Sequence, residues 1–354
     1  MIQSIKKYKQ QFGAKVTPEL QKKYAQSKHW DGKKFENLEE TDMDFSLGEM
    51  PGFIKKQFTD RDLRSPKKPI PILDFDKNVF ETTDKKPKFI WFGHAVLLLQ
   101  INGKNLLIDP MFGENAAPIA PFPIKRFSEN TLDIIDKLPK IDAILMTHDH
   151  YDHLDYDSIL KIKSKVNTYF TSLGTGRHLE KWGIPANQIT ELDWWDVLEF
   201  EGITITCTPS RHFAGRGITD RAKSFWCGWA FKTESHSVLW SGDGGYGAHF
   251  KEIGQKLGAF DWAFLECGQY NELWHLIHMY PEEAIQAGFD VGAKVGIPFH
   301  WGGFPLALHV WKEPIERFVA EANKKDFPFF VPQLGELIQM GEEPSNNEWY
   351  KGLE

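Results

Sequence analysis

The chain has 354 residues, of which 41% are hydrophobic and 26% charged, the balance of an ordinary globular protein. Its net charge of -7 argues against a general nucleic-acid binder, which would normally be basic. Its three cysteines are too few and too scattered for a disulfide framework, which favours reduced thiols in the cytoplasm. We find neither an apolar run long enough for a membrane span nor an apolar signal segment behind the first lysines.

Residues 1–86 are rich in lysine, are interrupted by prolines and show little strand-like alternation. We predict that they form an extension that wraps the main domain, with helical turns near residues 18–27 and 52–60. A disordered segment is the alternative, but five aromatic residues offer anchors that disordered chains usually lack. They are Trp30, Phe35, Phe45, Phe53 and Phe58.

From Lys88 onward, short apolar strands alternate with helical patterns. Strands are predicted at residues 89–92, 96–101, 105–108, 141–146, 168–171, 203–208, 224–231, 237–240, 262–265, 294–297, 329–331 and 336–339. Helices are predicted at residues 131–137, 155–163, 174–182, 248–257, 281–289 and 314–323. This order favours an α+β fold in which two sheets pack face to face with helices outside. We assign residues 87–345 to this domain and residues 346–354 to a C-terminal tail.

A His-x-His-x-Asp-His motif follows the predicted strand 141–146 and supplies His148, His150, Asp152 and His153. Imidazole and carboxylate groups are ligands that suit zinc, iron or manganese. A strand that ends in such a loop places these side chains together on one rim. The alternative is a polar loop whose histidines merely cap the next helix. The density of the pattern favours a metal site.

Four side chains cannot complete two metal sites that each keep a position open for water. Three further candidates follow predicted strands, namely His212, Asp243 and His300. Asp243 stands between glycines, which let the backbone approach an ion closely. Each of the three alone would more often be a structural turn residue, but with the motif they are predicted as ligands.

The order of these seven residues resembles the metallo-β-lactamase superfamily. The resemblance implies an αββα four-layer sandwich that holds two zinc ions, with iron or manganese as alternatives. One ion would be held by His148, His150 and His212. The other would be held by Asp152, His153 and His300, and Asp243 would bridge the two.

Among the branches of that superfamily, the chain is most similar to the N-acyl-phosphatidylethanolamine-hydrolysing phospholipase D group. The similar stretches are residues 91–95, 107–110, 147–155, 210–212, 241–243, 278–284 and 300–302. They imply that His94, Arg211 and Tyr280 bind substrate and that Asp109 stands behind the ligands. The implied catalytic residues are Asp152, Asp243 and His278.

His278 lies just before the predicted helix 281–289, where it can bind a phosphate oxygen or protonate a leaving group. A buried structural histidine is the alternative for this residue. Two departures from the branch leave the ligands untouched. Phe213 replaces the tryptophan usual after His212, and Glu266 replaces an expected proline or small apolar residue.

The resemblance implies hydrolysis of N-acyl-phosphatidylethanolamine to N-acylethanolamine and phosphatidic acid by a hydroxide held between the two ions. A lactonase or other small-ester hydrolase is the first alternative, and a non-catalytic lipid- or metal-binding protein is another. A nuclease of this fold is disfavoured by the acidic charge. We expect a cytoplasmic protein with a small-molecule or phospholipid substrate, peripheral contact with the inner face of the membrane and no nucleic-acid partner. The oligomeric state is left open, a homodimer included.

Overall fold

The computed structural model describes residues 9–41, 61–82, 86–116, 123–217, 219–342 and 348–353. Its strands are β1 Lys88–Trp91, β2 Leu97–Ile101, β3 Lys104–Ile108, β4 Ala143–Met146, β5 Tyr169–Ser172, β6 Ile189–Leu192, β7 Val197–Phe200, β8 Ile203–Thr208, β9 Gly228–Lys232, β10 Ser237–Trp240, β11 Phe260–Glu266, β12 Ala293–Phe299 and β13 Leu337–Gln339. Its α-helices are α1 Pro18–Tyr24, α2 Ile134–Lys137, α3 Tyr156–Ile162, α4 Gly176–Lys181, α5 His249–Leu257, α6 Pro281–Asp290 and α7 Glu313–Lys324. Short 3-10 helices span Arg61–Leu63, Lys77–Glu81, Thr131–Asp133, Ala186–Gln188, Glu272–Ile277 and Trp349–Gly352.

The strands form two mixed sheets. The first has the order β13-β1-β2-β3-β4-β5-β6, and the second has the order β12-β11-β10-β9-β8-β7. In the first sheet β3 to β6 run parallel, and in the second β10 to β12 run parallel. Parallel neighbours end at the same edge of a sheet, so the loops that follow them are brought together.

Alternating side chains of the strands feed two apolar cores. Phe89 and Trp91 of β1 join the core between the sheets, whereas Ile90 joins the core beneath the outer helices. A strand buried on both faces needs a layer on each side. On the second sheet that outer layer includes α6, which packs on β11 and β12. The result is the predicted sandwich of two sheets flanked by helices.

Most predicted elements are present, with shifted boundaries. The strand predicted at 224–231 begins only at Gly228, because the preceding residues are buried in a loop. The strand predicted at 329–331 is reduced to a single bridge between Phe329 and Gly296. The short strands β6 and β7 were not predicted, since their half-exposed side chains make no apolar run.

The N-terminal residues that the structure describes pack on the sandwich. Tyr24 and Phe35 are buried, and the ring of Phe35 lies 4.8 Å from that of Phe225. The predicted turn 52–60 and the anchors Phe45, Phe53 and Phe58 lie outside the described residues. Among the described helices, none is both long and apolar enough to cross a membrane.

Candidate metal centre

The loops that carry the candidate residues meet where the two sheets come together. Three non-glycine residues there have left-handed backbone, with φ of 54° at His94, 41° at Asp109 and 67° at His300. The N–H of His300 donates to the carbonyl of His94 (3.0 Å), and the N–H of His94 donates to the carbonyl of Trp301 (2.9 Å). These bonds tie a loop of one sheet to a loop of the other. Strained backbone of this kind concentrates at functional sites.

Three imidazoles form the first group of candidate ligands. Nε2 of His148 lies 2.9 Å from Nδ1 of His150, and Nε2 of His212 lies 3.2 Å from the same nitrogen. Burial lowers the pKa of His150 to about 4 and holds the pKa values of the other two rings well below their usual range. All three rings are therefore neutral at neutral pH and offer nitrogen lone pairs.

Hydrogen bonds on the far side of these rings show where the lone pairs point. Nδ1 of His212 lies 3.0 Å from the carbonyl oxygen of Ile277, which only accepts, so this nitrogen carries the proton. The hydroxyl of Thr147 donates to a carboxylate and therefore accepts from Nδ1 of His148 at 2.9 Å. Both Nε2 atoms then present lone pairs to His150, whose Nδ1 can carry one proton at most. Converging nitrogen lone pairs fit a divalent cation.

The second group combines imidazoles with a carboxylate. Ligand atoms of His94, Asp152, His153 and His300 all lie within 4.8 Å of one another. Burial lowers the pKa of His153, but the carboxylates of Asp243 and Asp152 outweigh it and raise that pKa to about 10. Burial also lowers the pKa of His300, but the carboxylates of Asp243 and Asp152 outweigh it and hold that pKa well above its usual value. Protons held in this way are those that a cation replaces when it binds.

Asp243 lies between the two groups. Its Oδ2 is 3.0 Å from Nε2 of His153 and 3.0 Å from Nε2 of His300. Within 4.8 Å it also shares candidate metal-binding sets with His148 and His212 of the first group. Its Oδ1 is buried without a hydrogen-bond partner among the described residues. A buried carboxylate oxygen that lacks a partner is costly, and a bridging position between two cations would satisfy it.

Asp109 lies behind the motif. Its fully buried carboxylate accepts from the N–H of Thr147 at 2.8 Å and from the hydroxyl of Thr147 at 2.7 Å. It also lies 2.9 Å from Nδ1 of His153. Because this nitrogen donates, Nε2 of His153 is directed at Asp243. Asp109 therefore orients the ring of a candidate ligand.

Asp149 is a structural residue of the motif that sequence analysis missed. Its carboxylate is buried and lies 2.9 Å from Nε2 of His178, while the N–H of Gly215 donates to it at 2.6 Å. The N–H of Ala14 donates to Nδ1 of His178 at 2.9 Å, so the proton of that ring is on Nε2 and points at Asp149. Burial raises the pKa of Asp149, but His178 and Arg177 outweigh it and hold that pKa well below its usual range. The motif is thereby held from behind, partly by the N-terminal segment.

Asn37 attaches the N-terminal segment to a candidate ligand directly. Its Nδ2 donates to the carbonyl of His212 at 2.8 Å, and its Oδ1 accepts from the N–H of His212 at 3.1 Å. The indole Nε1 of Trp226 also donates to this Oδ1 at 3.1 Å. One side chain from residues 1–86 therefore fixes the backbone of His212.

We expect Asn37→Ala to weaken zinc binding about tenfold, because the buried backbone of His212 would lose both partners. Competition with a fluorescent chelator measures this affinity. Asn78→Ala is the matched control, since its exposed side chain belongs to the same N-terminal part of the chain. Equal zinc affinity in the two variants would contradict the role of Asn37.

His278 lies beside both groups. Its ring is 5.0 Å from that of His212 and 5.3 Å from that of His300, and 13% of its side chain is exposed. Nδ1 of His278 lies 3.0 Å from Oε1 of Glu266. The unexpected acid at the end of a predicted strand was the one sequence signal for this contact.

The residues predicted to bind substrate occupy three different surroundings. Nε2 of the fully buried His94 lies 2.8 Å from Oδ2 of Asp152, inside the second group. The guanidinium of Arg211 donates to the carbonyls of Glu40 and Tyr246, and so faces the N-terminal segment. Tyr280 stacks on a histidine outside both groups. Substrate binding by these residues stays a prediction.

Comparisons with known proteins point to the same kind of site as this group of histidines and carboxylates. The family profile described as "Beta-lactamase superfamily domain" matches residues 104–301. An uncharacterised protein of Mycobacterium tuberculosis is 37% identical over 277 residues, which cover 77% of this chain and 73% of that protein. The chain belongs to the metallo-β-lactamase superfamily. It is therefore a metal-dependent hydrolase, and the two groups around Asp243 are its candidate metal-binding residues.

Two further proteins are similar to the chain. The N-acyl-phosphatidylethanolamine-hydrolyzing phospholipase D 1 of Caenorhabditis elegans is 33% identical over 265 residues, which cover 70% of this chain and 74% of that enzyme. The structure of Igni18, a metallo hydrolase of Ignicoccus hospitalis, matches with a TM-score of 0.57 at 22% identity. That match covers 73% of this chain and 100% of Igni18, and it supports the fold alone.

Proposed function

We propose that the protein is a dinuclear zinc phosphodiesterase that hydrolyses N-acyl-phosphatidylethanolamine to N-acylethanolamine and phosphatidic acid. The proposal of two zinc ions is supported by the position of Asp243, whose carboxylate lies between two groups of candidate ligands. The lipid substrate is supported by similarity to the Caenorhabditis elegans phospholipase D. Iron or manganese would suit the same nitrogen and oxygen ligands.

One ion would be held by His148, His150 and His212, and the other by Asp152, His153 and His300, with Asp243 shared. When bound, such ions lower the pKa of a water molecule and offset negative charge on the phosphoryl group. The side chains that reach solvent mark where a substrate enters. Asp152 and His278 are each 13% exposed, in a cluster whose other members are mostly buried.

The residues at this opening suit an anionic ester with an apolar part. The ring of Phe213 lies 4.6 Å from that of His150, and the guanidinium of Arg221 stacks 3.7 Å over Phe213. An arginine here attracts a phosphate, while the phenylalanine offers apolar surface. This arrangement favours a phosphodiester over a neutral lactone.

In the proposed reaction a water oxygen bonds to phosphorus, and the bond from phosphorus to the ethanolamine oxygen breaks. The departing N-acylethanolamine takes up a proton as it leaves. When the ring of His278 carries protons on both nitrogens, its Nε2 is placed to give this proton, and Asp152 or Asp243 is placed to accept the proton of the attacking water. Peripheral contact with a membrane would bring a phospholipid to this opening.

Zinc-loaded protein should convert N-acyl-phosphatidylethanolamine in mixed micelles to the two expected products, which mass spectrometry identifies. In water enriched in oxygen-18, the label should enter phosphatidic acid and not the released alcohol, because attack is at phosphorus. An Asp243→Asn protein purified in parallel controls for contaminating phospholipases. Cleavage of a lactone panel without cleavage of the lipid or of bis-p-nitrophenyl phosphate would overturn the proposal.

A further inference from the structure

Glu266 is a buried carboxylate beside the candidate metal-binding residues. It is not one of the seven predicted ligands. It is the last residue of β11, and its side chain has no exposed surface. Burial of an unpaired carboxylate is strongly unfavourable, and an apolar residue would avoid that cost. The chain carries the acid at the position where a proline or small apolar residue was expected. Its contacts must therefore compensate for the burial.

One oxygen of Glu266 serves two histidines. Oε1 lies 3.0 Å from Nδ1 of His278 and 3.2 Å from Nδ1 of His300. The other oxygen, Oε2, accepts from the backbone N–H of Met279 at 3.1 Å. A carboxylate only accepts hydrogen bonds, so both Nδ1 atoms carry their protons. The two rings are nearly parallel, with an interplanar angle of 12°.

These bonds determine which nitrogen of each ring remains available. His300 turns Nε2 toward Asp243 at 3.0 Å. His278 has its Nδ1 committed to Glu266, so Nε2 is the nitrogen left to act on a substrate. A histidine held by a carboxylate from behind is fixed in both orientation and tautomer.

We infer that Glu266 is a positioning residue that acts through His278 and keeps Nε2 of that ring available to the reacting ester. The inference rests on the proposed hydrolysis for its kinetic consequence only. The tautomer of His278 follows from the hydrogen bonds alone. Replacing Glu266 with leucine keeps a similar volume and removes the acceptor for both imidazoles. Replacing it with aspartate keeps a carboxylate on a shorter side chain.

The first experiment needs no substrate. Nitrogen-15 spectra of the zinc-loaded protein distinguish the two imidazole tautomers, and His278→Ala assigns the resonances of this ring. The wild type and Glu266→Asp should show His278 with the proton on Nδ1. Glu266→Leu should shift the population toward the proton on Nε2. An unchanged tautomer in Glu266→Leu would overturn the inference.

The second experiment measures turnover of bis-p-nitrophenyl phosphate at saturating zinc. Glu266→Leu should lower kcat at least tenfold with little change in KM, and Glu266→Asp should restore part of it. In the His278→Ala background the same substitution should cost less than twofold, because residues that act as a unit are not additive. Equal losses in both backgrounds would mean that Glu266 does not act through His278.

Zinc content and thermal unfolding of each variant separate these effects from misfolding. Should Glu266→Leu fail to fold, Glu266→Gln takes its place in both experiments. Its amide has a single oxygen, which can accept from the imidazoles or from the N–H of Met279. One of these two contacts is therefore lost. A wild type that hydrolyses no phosphodiester would refute the proposed function, and the nitrogen-15 spectra would then decide the role of Glu266.

Discussion

Asp243→Asn should reduce hydrolysis by about 10³-fold and lower the zinc content from two ions per chain to one or fewer. The carboxylate lies between two groups of candidate ligands, 3.0 Å from Nε2 of both His153 and His300. An amide is neutral and can no longer offset the repulsion between two cations bound close together. Elemental analysis after dialysis measures the zinc content, and initial rates at saturating zinc measure the activity.

Asp261→Asn is the matched control for this experiment. Asp261 is also a carboxylate of the second sheet, but it accepts from the N–H of Ser237 and pairs with Lys294 on β12. Its replacement should leave two zinc ions and wild-type rates. If Asp243→Asn also retained two ions and more than a tenth of the activity, the bridging position would be wrong.

Local sequence signals predicted the fold and a set of candidate ligands. The apolar strands and the residues at their ends predicted the two-sheet sandwich, which the structure and the comparisons confirm. In the structure His148, His150 and His212 converge, and Asp243 lies between the two groups of candidate ligands. Their role as zinc ligands stays a prediction. Short apolar runs and dense ligand spacing are local properties, which is why a single sequence reveals them.

The residues that support this cluster could not be predicted from local patterns. Asn37 is 175 positions away from His212, and Ala14 is 164 positions away from His178. Nothing in the spacing of a lysine-rich segment indicates which loop it will contact. The resemblance implied that Arg211 binds substrate, which stays a prediction. No local pattern indicated that its guanidinium donates to the backbone carbonyls of Glu40 and Tyr246.

Asp109→Asn should weaken zinc binding by up to about 100-fold, the upper end for residues that orient metal ligands. The carboxylate accepts three hydrogen bonds, two from Thr147 and one from Nδ1 of His153. An amide group can accept with its oxygen only, so its NH2 would face a hydrogen-bond donor. The ring of His153 would then lose its fixed orientation toward Asp243. Chelator competition gives the affinity, and thermal unfolding shows whether the variant is folded.

Asp142→Asn tests whether the effect belongs to the cluster or to any carboxylate beside β4. Asp142 immediately precedes this strand, at the end away from the motif, and its Oδ2 accepts from the N–H of Asn105 at 2.9 Å. An asparagine oxygen can accept the same bond, so zinc affinity should stay within about twofold of the wild type. Equal weakening in both variants would indicate a general loss of stability. A loss confined to Asp109→Asn would show that a carboxylate behind His153 sets the affinity of the site, as an oriented ligand requires.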